Sequence, residues 1–333
     1  SCVDPARGMT RDGFAELGSP GDQERMHRRS MVFEGVKKAC EFAGQRPERF
    51  ILHGCSSEPP EGAKMIYFQR HGEGIHNAWR VAEQTAGRTP TAKRHNTGCY
   101  PPELRDPCLT EKGHQDAAGA ADRARGLPRP ELIVTSPLRR AVQTMLVTFG
   151  DAVESGVPAI AHELCREAFH GNDPSVYDSR LSRDALAAAF SQVDFSTHVL
   201  PVEQSAASGA AVDDPLWWHC ASPFGEVGAQ GVDEAAIVEH AYRFLVWLMH
   251  RPEKLIAVVT HSNFLLALYH GCLDGSPKTP QVFHTGELRA LTLSASPPPP
   301  STHMLAGGGT TFAGSFPIPG SQTFSKKQKV ERL

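Results

Sequence analysis

The stretch "IYFQRHGEGIHN", residues 66–77, begins as a buried strand and ends in glycines and polar groups. Arg70, His71 and Glu73 crowd around Gly72, with His76 and Asn77 just beyond. Two later apolar runs stop in a similar way. "ELIVTS" (131–136) leads into Pro137-Leu138-Arg139-Arg140, and "LIAVVT" (255–260) leads into His261-Ser262-Asn263. Each run is short and apolar, as strands buried on both faces are. Apolar residues then recur at helical spacing in 139–149 and in 261–271. Ahead of the third run, 232–250 reads as a long amphipathic helix, and "GELRALTL" (286–293) reads as a fourth strand. Strands alternating with helices predict an α/β fold: a three-layer α/β/α sandwich around a mostly parallel mixed sheet.

Outward from these runs the chain divides into three parts. Residues 1–60 are polar and interrupted, and read as a partly disordered N-terminal extension in which only "MVFEGVKKACEFA" (31–43) has the pattern of a short helix. Residues 61–296 are compositionally globular and carry all the motifs. An inserted cap is expected over about 170–232, containing Arg180, Arg183 and "DDPLWW" (213–218), where Trp217 and Trp218 read as packing. Residues 297–333 form a Pro/Gly-rich tail with a basic end, a composition unable to build a packed core.

Composition excludes several classes of function. The 333 residues carry 34 basic and 37 acidic side chains, a formal charge of -3, so nothing in the total predicts binding to nucleic acid or to an anionic membrane. No apolar run approaches the roughly 18 residues of a membrane span, and the first thirty residues have no apolar segment of the secretory kind. Eight scattered cysteines form no CxxC pair, which argues against a thiolate zinc site. His114, His162, His170, His219 and His284 lack metal-ligand spacing and read as structural. "AGGGTTFAG" (306–314) lacks the Lys-Ser/Thr of a phosphate-binding P-loop. With no glycosylation sequon, the expected setting is reducing and cytoplasmic.

Ligands of open parallel sheets gather at the carboxyl ends of the strands. Here those ends deliver Arg70 and His71, then Arg139 and Arg140, then His261, to one edge. Two imidazoles among guanidinium groups make an anion pocket, because arginine's planar fork of donors matches phosphate oxygens. The helix after Ser262 adds free N–H groups and its positive end. A neutral histidine in such a pocket is a nucleophile toward phosphorus, and the arginines keep it neutral while stabilising the transferring group. The leaving oxygen needs an acid. "HELCREAFHG" (162–171) offers Glu163 and Glu167, either of which would have its pKa raised beside an incoming phosphate.

The order of these elements resembles the histidine phosphatases, or phosphoglycerate mutase-like superfamily. "FQRHGEGIHN" is similar to that family's strand followed by Arg-His-Gly. "SPLRRAVQT" resembles its Ser-x-Leu-x-Arg-Ala-x-x-Thr motif and "VVTHSNFL" its second histidine. The likeness covers about 64–295. It is strongest to the mutase-like proteins of plants and fungi, through "RPEKLIAVVTHS" and the Glu-Leu-Arg strand that follows. The resemblance implies that His71 is the phosphorylated nucleophile, and that Arg70, Arg140 rather than Arg139, and His261 hold the phosphoryl oxygens. It implies Glu167 as proton donor, Asn77 as an additional phosphate contact, a phosphorylated small molecule as substrate, and neither cofactor nor metal.

Two departures from the glycolytic mutases point to plain phosphatase chemistry. Their Asn-Glu-Arg-His-Tyr-like run at the acid is replaced by Cys165-Arg166-Glu167-Ala168-Phe169-His170, and the Thr-Gly-Trp run after the first motif is missing. Mutase-type phosphoryl transfer and a non-catalytic phospho-ligand binding protein are the alternatives. The intact set of His71, His261, Arg70, Arg140 and Glu167 argues against the second.

Overall fold

A computed structural model describes residues 48–53, 60–88, 101–167, 176–199, 234–276 and 281–296. Eight strands form one sheet in the order β5-β4-β3-β6-β2-β8-β1-β7. They are β1 (Arg49–His53), β2 (Lys64–Arg70), β3 (Leu132–Thr135), β4 (Ala159–His162), β5 (Asp194–His198), β6 (Leu255–Thr260), β7 (Leu273–Asp274) and β8 (Leu288–Ser296). Every pairing is parallel except those of β8, which lies antiparallel between β1 and β2. Among the described residues, six α-helices accompany them: α1 (Ile75–Thr85), α2 (Glu111–Ala124), α3 (Arg139–Glu154), α4 (Arg183–Ala189), α5 (Glu234–Met249) and α6 (Ser262–Cys272).

Strand alternation builds the three layers. Ile66 and Phe68 of β2, Leu132 and Val134 of β3, and Ile256 and Val258 of β6 point to one face, where they bury against α5 and α6. The residues between them, Tyr67, Ile133, Ala257 and Val259, point to the other and bury against α3. Period-two side chains on a doubly covered sheet leave no room for polar residues in the middle of these strands. The three central runs read from the sequence are therefore β2, β3 and β6, and the α/β/α fold expected from them is present. α2 packs beside α3, and begins where the Thr110 side chain accepts a hydrogen bond from Gly113 N–H, a serine/threonine-type cap.

Two boundaries differ from expectation. The extension placed at 1–60 contributes β1, whose Phe50 is fully buried in the core. This strand was invisible locally because its partner β8 lies more than 200 residues away: Arg49 pairs with Ser296 and His53 with Thr292. Within the span expected as a cap, Asp194–His198 forms β5, the edge strand beside β4. Those five residues thus join the sheet layer. The helix read at 31–43, the run 213–218 and the tail 297–333 lie outside the described residues. Among the described residues, no helix is long and apolar enough to cross a membrane.

Candidate active site

Register decides which side chains meet. β2 and β6 pair in parallel with Arg70 opposite Thr260, so the residues that follow, His71 and His261, leave the sheet side by side. Their ring centroids are 5.0 Å apart. β3 pairs with β6 through Thr135 and Val259, which brings the next residue, Ser136, within 2.7 Å of His261 Nε2 through its hydroxyl. Arg140 then enters from the first turn of α3, almost fully buried, and its Nε–H points at His71 Nε2 from 3.3 Å.

The Arg-His-Gly loop is compact for a steric reason. A Cβ on Gly72 would lie 2.2 Å from the carbonyl oxygen of Gly113, closer than any real contact. Gly72 N–H donates to the Thr144 hydroxyl at 3.0 Å, and that hydroxyl in turn donates to the Arg140 carbonyl at 2.7 Å. Ser136 and Thr144 of "SPLRRAVQT" thus tie the two loops together. This gives the polar positions of that motif a physical reason. His71 Nδ1 lies 2.6 Å from the Gly72 carbonyl oxygen. A carbonyl can only accept, so Nδ1 carries the proton and Nε2 presents its lone pair to the pocket.

Burial, and next Arg140 and Arg70, hold the His71 imidazole well below its ordinary pKa; the Gly72 carbonyl opposes them only in part. His261 is lowered by the same burial and then by Arg140. A third imidazole, His76 at the start of α1, lies 5.9 Å from His71 ring to ring and is likewise depressed by burial and Arg140. Its ring stacks on Tyr177. The sequence displays His76 in its opening motif, yet assigned it no role. All three rings are neutral near pH 7, in a site whose charge comes from guanidinium groups.

The remaining expected residues fall in different places. Arg70 is half-buried at the end of β2 and donates through Nη1 to the Phe283 carbonyl at 2.8 Å. Asn77 Oδ1 accepts from Gly74 N–H at 3.0 Å, closing the start of α1, so only its amide NH₂ is left to meet an anion. Glu167 is half-buried and accepts from Phe264 N–H at 3.3 Å, which sets its carboxylate on the first turn of α6, beside His261. Glu163 is elsewhere engaged: it is buried between Arg180 at 2.7 Å and Arg166 at 3.2 Å. Arg139 points away from the pocket, with Nε on the Asp106 carbonyl at 2.6 Å and Nη2 on that of Arg105 at 3.1 Å. Asp106 accepts N–H bonds from Arg139 and Leu181, and burial raises its pKa to about 6. Among the described residues, no group of three or more His, Cys, Asp or Glu is arranged to hold a metal ion.

The arrangement can bind a tetrahedral dianion beside an unprotonated imidazole nitrogen, and comparison with known proteins agrees in kind. The family description "Histidine phosphatase superfamily (branch 1)" matches residues 66–192. An Arabidopsis thaliana "Phosphoglycerate mutase-like protein" is 29% identical over 256 residues, covering 68% of this chain and 79% of the relative. A second from the same plant, "Phosphoglycerate mutase-like protein 1", is 28% identical over 64% of this chain and 73% of its own length. Among solved structures, a putative α-ribazole-5'-P phosphatase from Escherichia coli aligns over 69% of this chain and 90% of its own, with 18% identity and a TM-score of 0.41. The mycobacterial glucosyl-3-phosphoglycerate phosphatase aligns over 62% of this chain and 77% of its own, with 19% identity and a TM-score of 0.34. The family match opens inside β2, four residues before the Arg-His-Gly loop, and runs past α3 and Glu167, so over that span, which carries the candidate site's first histidine and Arg140, the chain is similar to the histidine phosphatase superfamily.

Proposed function

We propose that this protein is a phosphatase that hydrolyses a phosphate monoester through a phosphohistidine intermediate. The observation that carries the reading is the 2.6 Å approach of His71 Nδ1 to the Gly72 carbonyl oxygen, which assigns the proton to Nδ1. With Nδ1–H given to the Gly72 carbonyl, the Nε2 lone pair faces Arg140 in a buried, cationic pocket. As the phosphate enters, the Arg140 Nε–H bond to Nε2 gives way to the phosphoryl oxygens; Nε2 then attacks phosphorus, a P–N bond forms, and the bond from phosphorus to the leaving oxygen breaks. Arg140, Arg70 and the neutral His261 meet the three remaining oxygens, where charge develops in a loose transition state. Glu167 gives its proton to the leaving oxygen, and the resulting carboxylate then takes one from the water that cleaves the P–N bond. Asn77 adds its NH₂ as a further phosphate contact. The site needs no cofactor in this scheme, since cationic side chains supply the charge.

The curated relatives are described as mutase-like, so mutase activity is the reading to be tested against. A mutase must hold the carboxylate of phosphoglycerate while the product turns round, and no basic set for that purpose is recognisable in this sequence. Incubation with 3-phosphoglycerate is expected to release inorganic phosphate with little 2-phosphoglycerate, and a screen of phosphate monoesters is expected to find turnover that survives a strong chelator. Efficient interconversion that depends on a bisphosphorylated primer would overturn the phosphatase reading.

The two neighbouring arginines provide a control within one motif. Arg140→Ala is expected to lower kcat on the order of 10²–10³, as for loss of one preorganised transition-state contact. Arg139→Ala removes bonds to Arg105 and Asp106 and is expected to move thermal stability more than kcat. Equal losses of kcat would mean that the phosphoryl clamp is wrongly assigned.

A further inference from the structure

The 3₁₀ turn Val176–Asp178 reaches the site from far along the chain, and nothing in the sequence marks it. Arg140 has five N–H donors. Nε meets His71, Nη1 donates to the Tyr177 carbonyl at 2.5 Å, and Nη2 donates to Asp178 Oδ1 at 2.7 Å. Five less three leaves two N–H bonds for an incoming oxyanion. Both partners of the ion pair are buried, with side-chain exposures of 1% and 9%. The turn itself is held from several sides. Arg166 Nη2 donates to the Asp178 carbonyl at 2.7 Å, the Tyr177 ring stacks on His76 with centroids 5.0 Å apart, and Val176 packs on Leu104.

We propose that Asp178 is a positioning residue, which fixes the Arg140 guanidinium beside the His71 nucleophile so that its two free N–H bonds face the phosphoryl group. A guanidinium is a rigid planar fork, so holding two of its nitrogens determines the direction of the third. When His71 Nε2 bonds to phosphorus, its lone pair is used and the hydrogen bond from Arg140 Nε–H is lost, so without the carboxylate only the bond from Nη1 to the Tyr177 carbonyl still holds the fork. It then turns about its last side-chain bonds, and the transition-state contact has to be assembled anew in each cycle. Asp178 also offsets local positive charge. The charged groups that act on it are Arg140 of α3, Arg166 after β4 and Arg80 of α1; those acting on His71 are Arg140 and Arg70. Loss of the carboxylate leaves the field at His71 more positive and drives its protonation to lower pH.

This inference rests on the phosphohistidine reading, and two variants separate the two. Asp178→Asn and Asp178→Ala remove the same charge, but only Asn keeps an oxygen acceptor for Arg140 Nη2. With p-nitrophenyl phosphate, D178A is expected to lose on the order of 10² in kcat, the usual scale for a misplaced catalytic contact, whereas D178N stays within about 10-fold. Both are expected to shift the acid limb of the pH–rate profile to lower pH, which a merely structural role would not do. Calorimetry with inorganic phosphate provides a readout that needs no turnover. D178N should bind about 10-fold more tightly than D178A. Equal phosphate affinity and equal kcat in the two variants would overturn the positioning role. If D178A does not fold, D178N against wild type still decides it: an unshifted acid limb, with unchanged phosphate affinity, overturns the proposal. Wild-type protein that binds phosphate yet never labels His71 would sink the phosphohistidine reading instead, leaving Asp178 to be judged on binding alone.

Discussion

Replacing His71 by Ala is expected to abolish turnover of every phosphate ester, a loss on the order of 10⁴ or more, as when the nucleophile of a covalent mechanism is removed. The neighbouring imidazoles do not rescue it. His261 and His76 lie 5.0 and 5.9 Å away ring to ring, and the backbone that places them is fixed by β6 and α1. An in-line attack needs reacting atoms within about 3–3.5 Å. The measurement is a labelled substrate quenched without acid, followed by peptide mapping. Wild type should carry acid-labile label on His71, and His71→Ala none. Its fold should survive, because the loop backbone is held by His71 N–H on the Thr260 carbonyl and Gly72 N–H on Thr144, neither of which uses the imidazole. Label found on a Ser, Asp or Cys would sink the mechanism.

Glu167→Gln is expected to give a loss that depends on the leaving group. An alkoxide leaves poorly, so general acid catalysis contributes roughly 10²–10⁴ in rate for sugar or alkyl phosphates. A nitrophenolate leaves well unaided, and phosphoenzyme formation from p-nitrophenyl phosphate should be largely spared. Glutamine retains an oxygen to accept Phe264 N–H at the start of α6. Breakdown of the phosphoenzyme is expected to slow with both substrates, because the same carboxylate activates water. The pre-steady-state burst with each substrate therefore separates the two steps. An equal loss of burst rate for both leaving groups would show Glu167 to be structural. Glu163 would not inherit the role, being buried between Arg166 and Arg180.

The sequence by itself determined the sheet core and most of the side chains that meet at its edge. β2, β3 and β6 are apolar throughout because both faces are covered, and such runs are legible locally. Each is followed at once by its polar payload, so Arg70, His71, Arg140 and His261 were readable as a group, and the parallel register of β2 with β6 brings the two histidines level. Only the tertiary structure decided matters that depend on distant segments. β1 exists because β8 offers it an antiparallel edge, and Phe50 a place in the core. The separation of Arg139 from Arg140 follows from helical geometry, as successive residues differ by about 100° around α3, and one meets Asp106 while the other meets His71 and Asp178. Glu163 was separated from Glu167 by Arg180, which lies 17 residues on and closes over the first acid. Asp178 had no local signature at all. A carboxylate beside an arginine 38 positions earlier has no periodicity to betray it, and its meaning arises only where the folded chain excludes water from the pair.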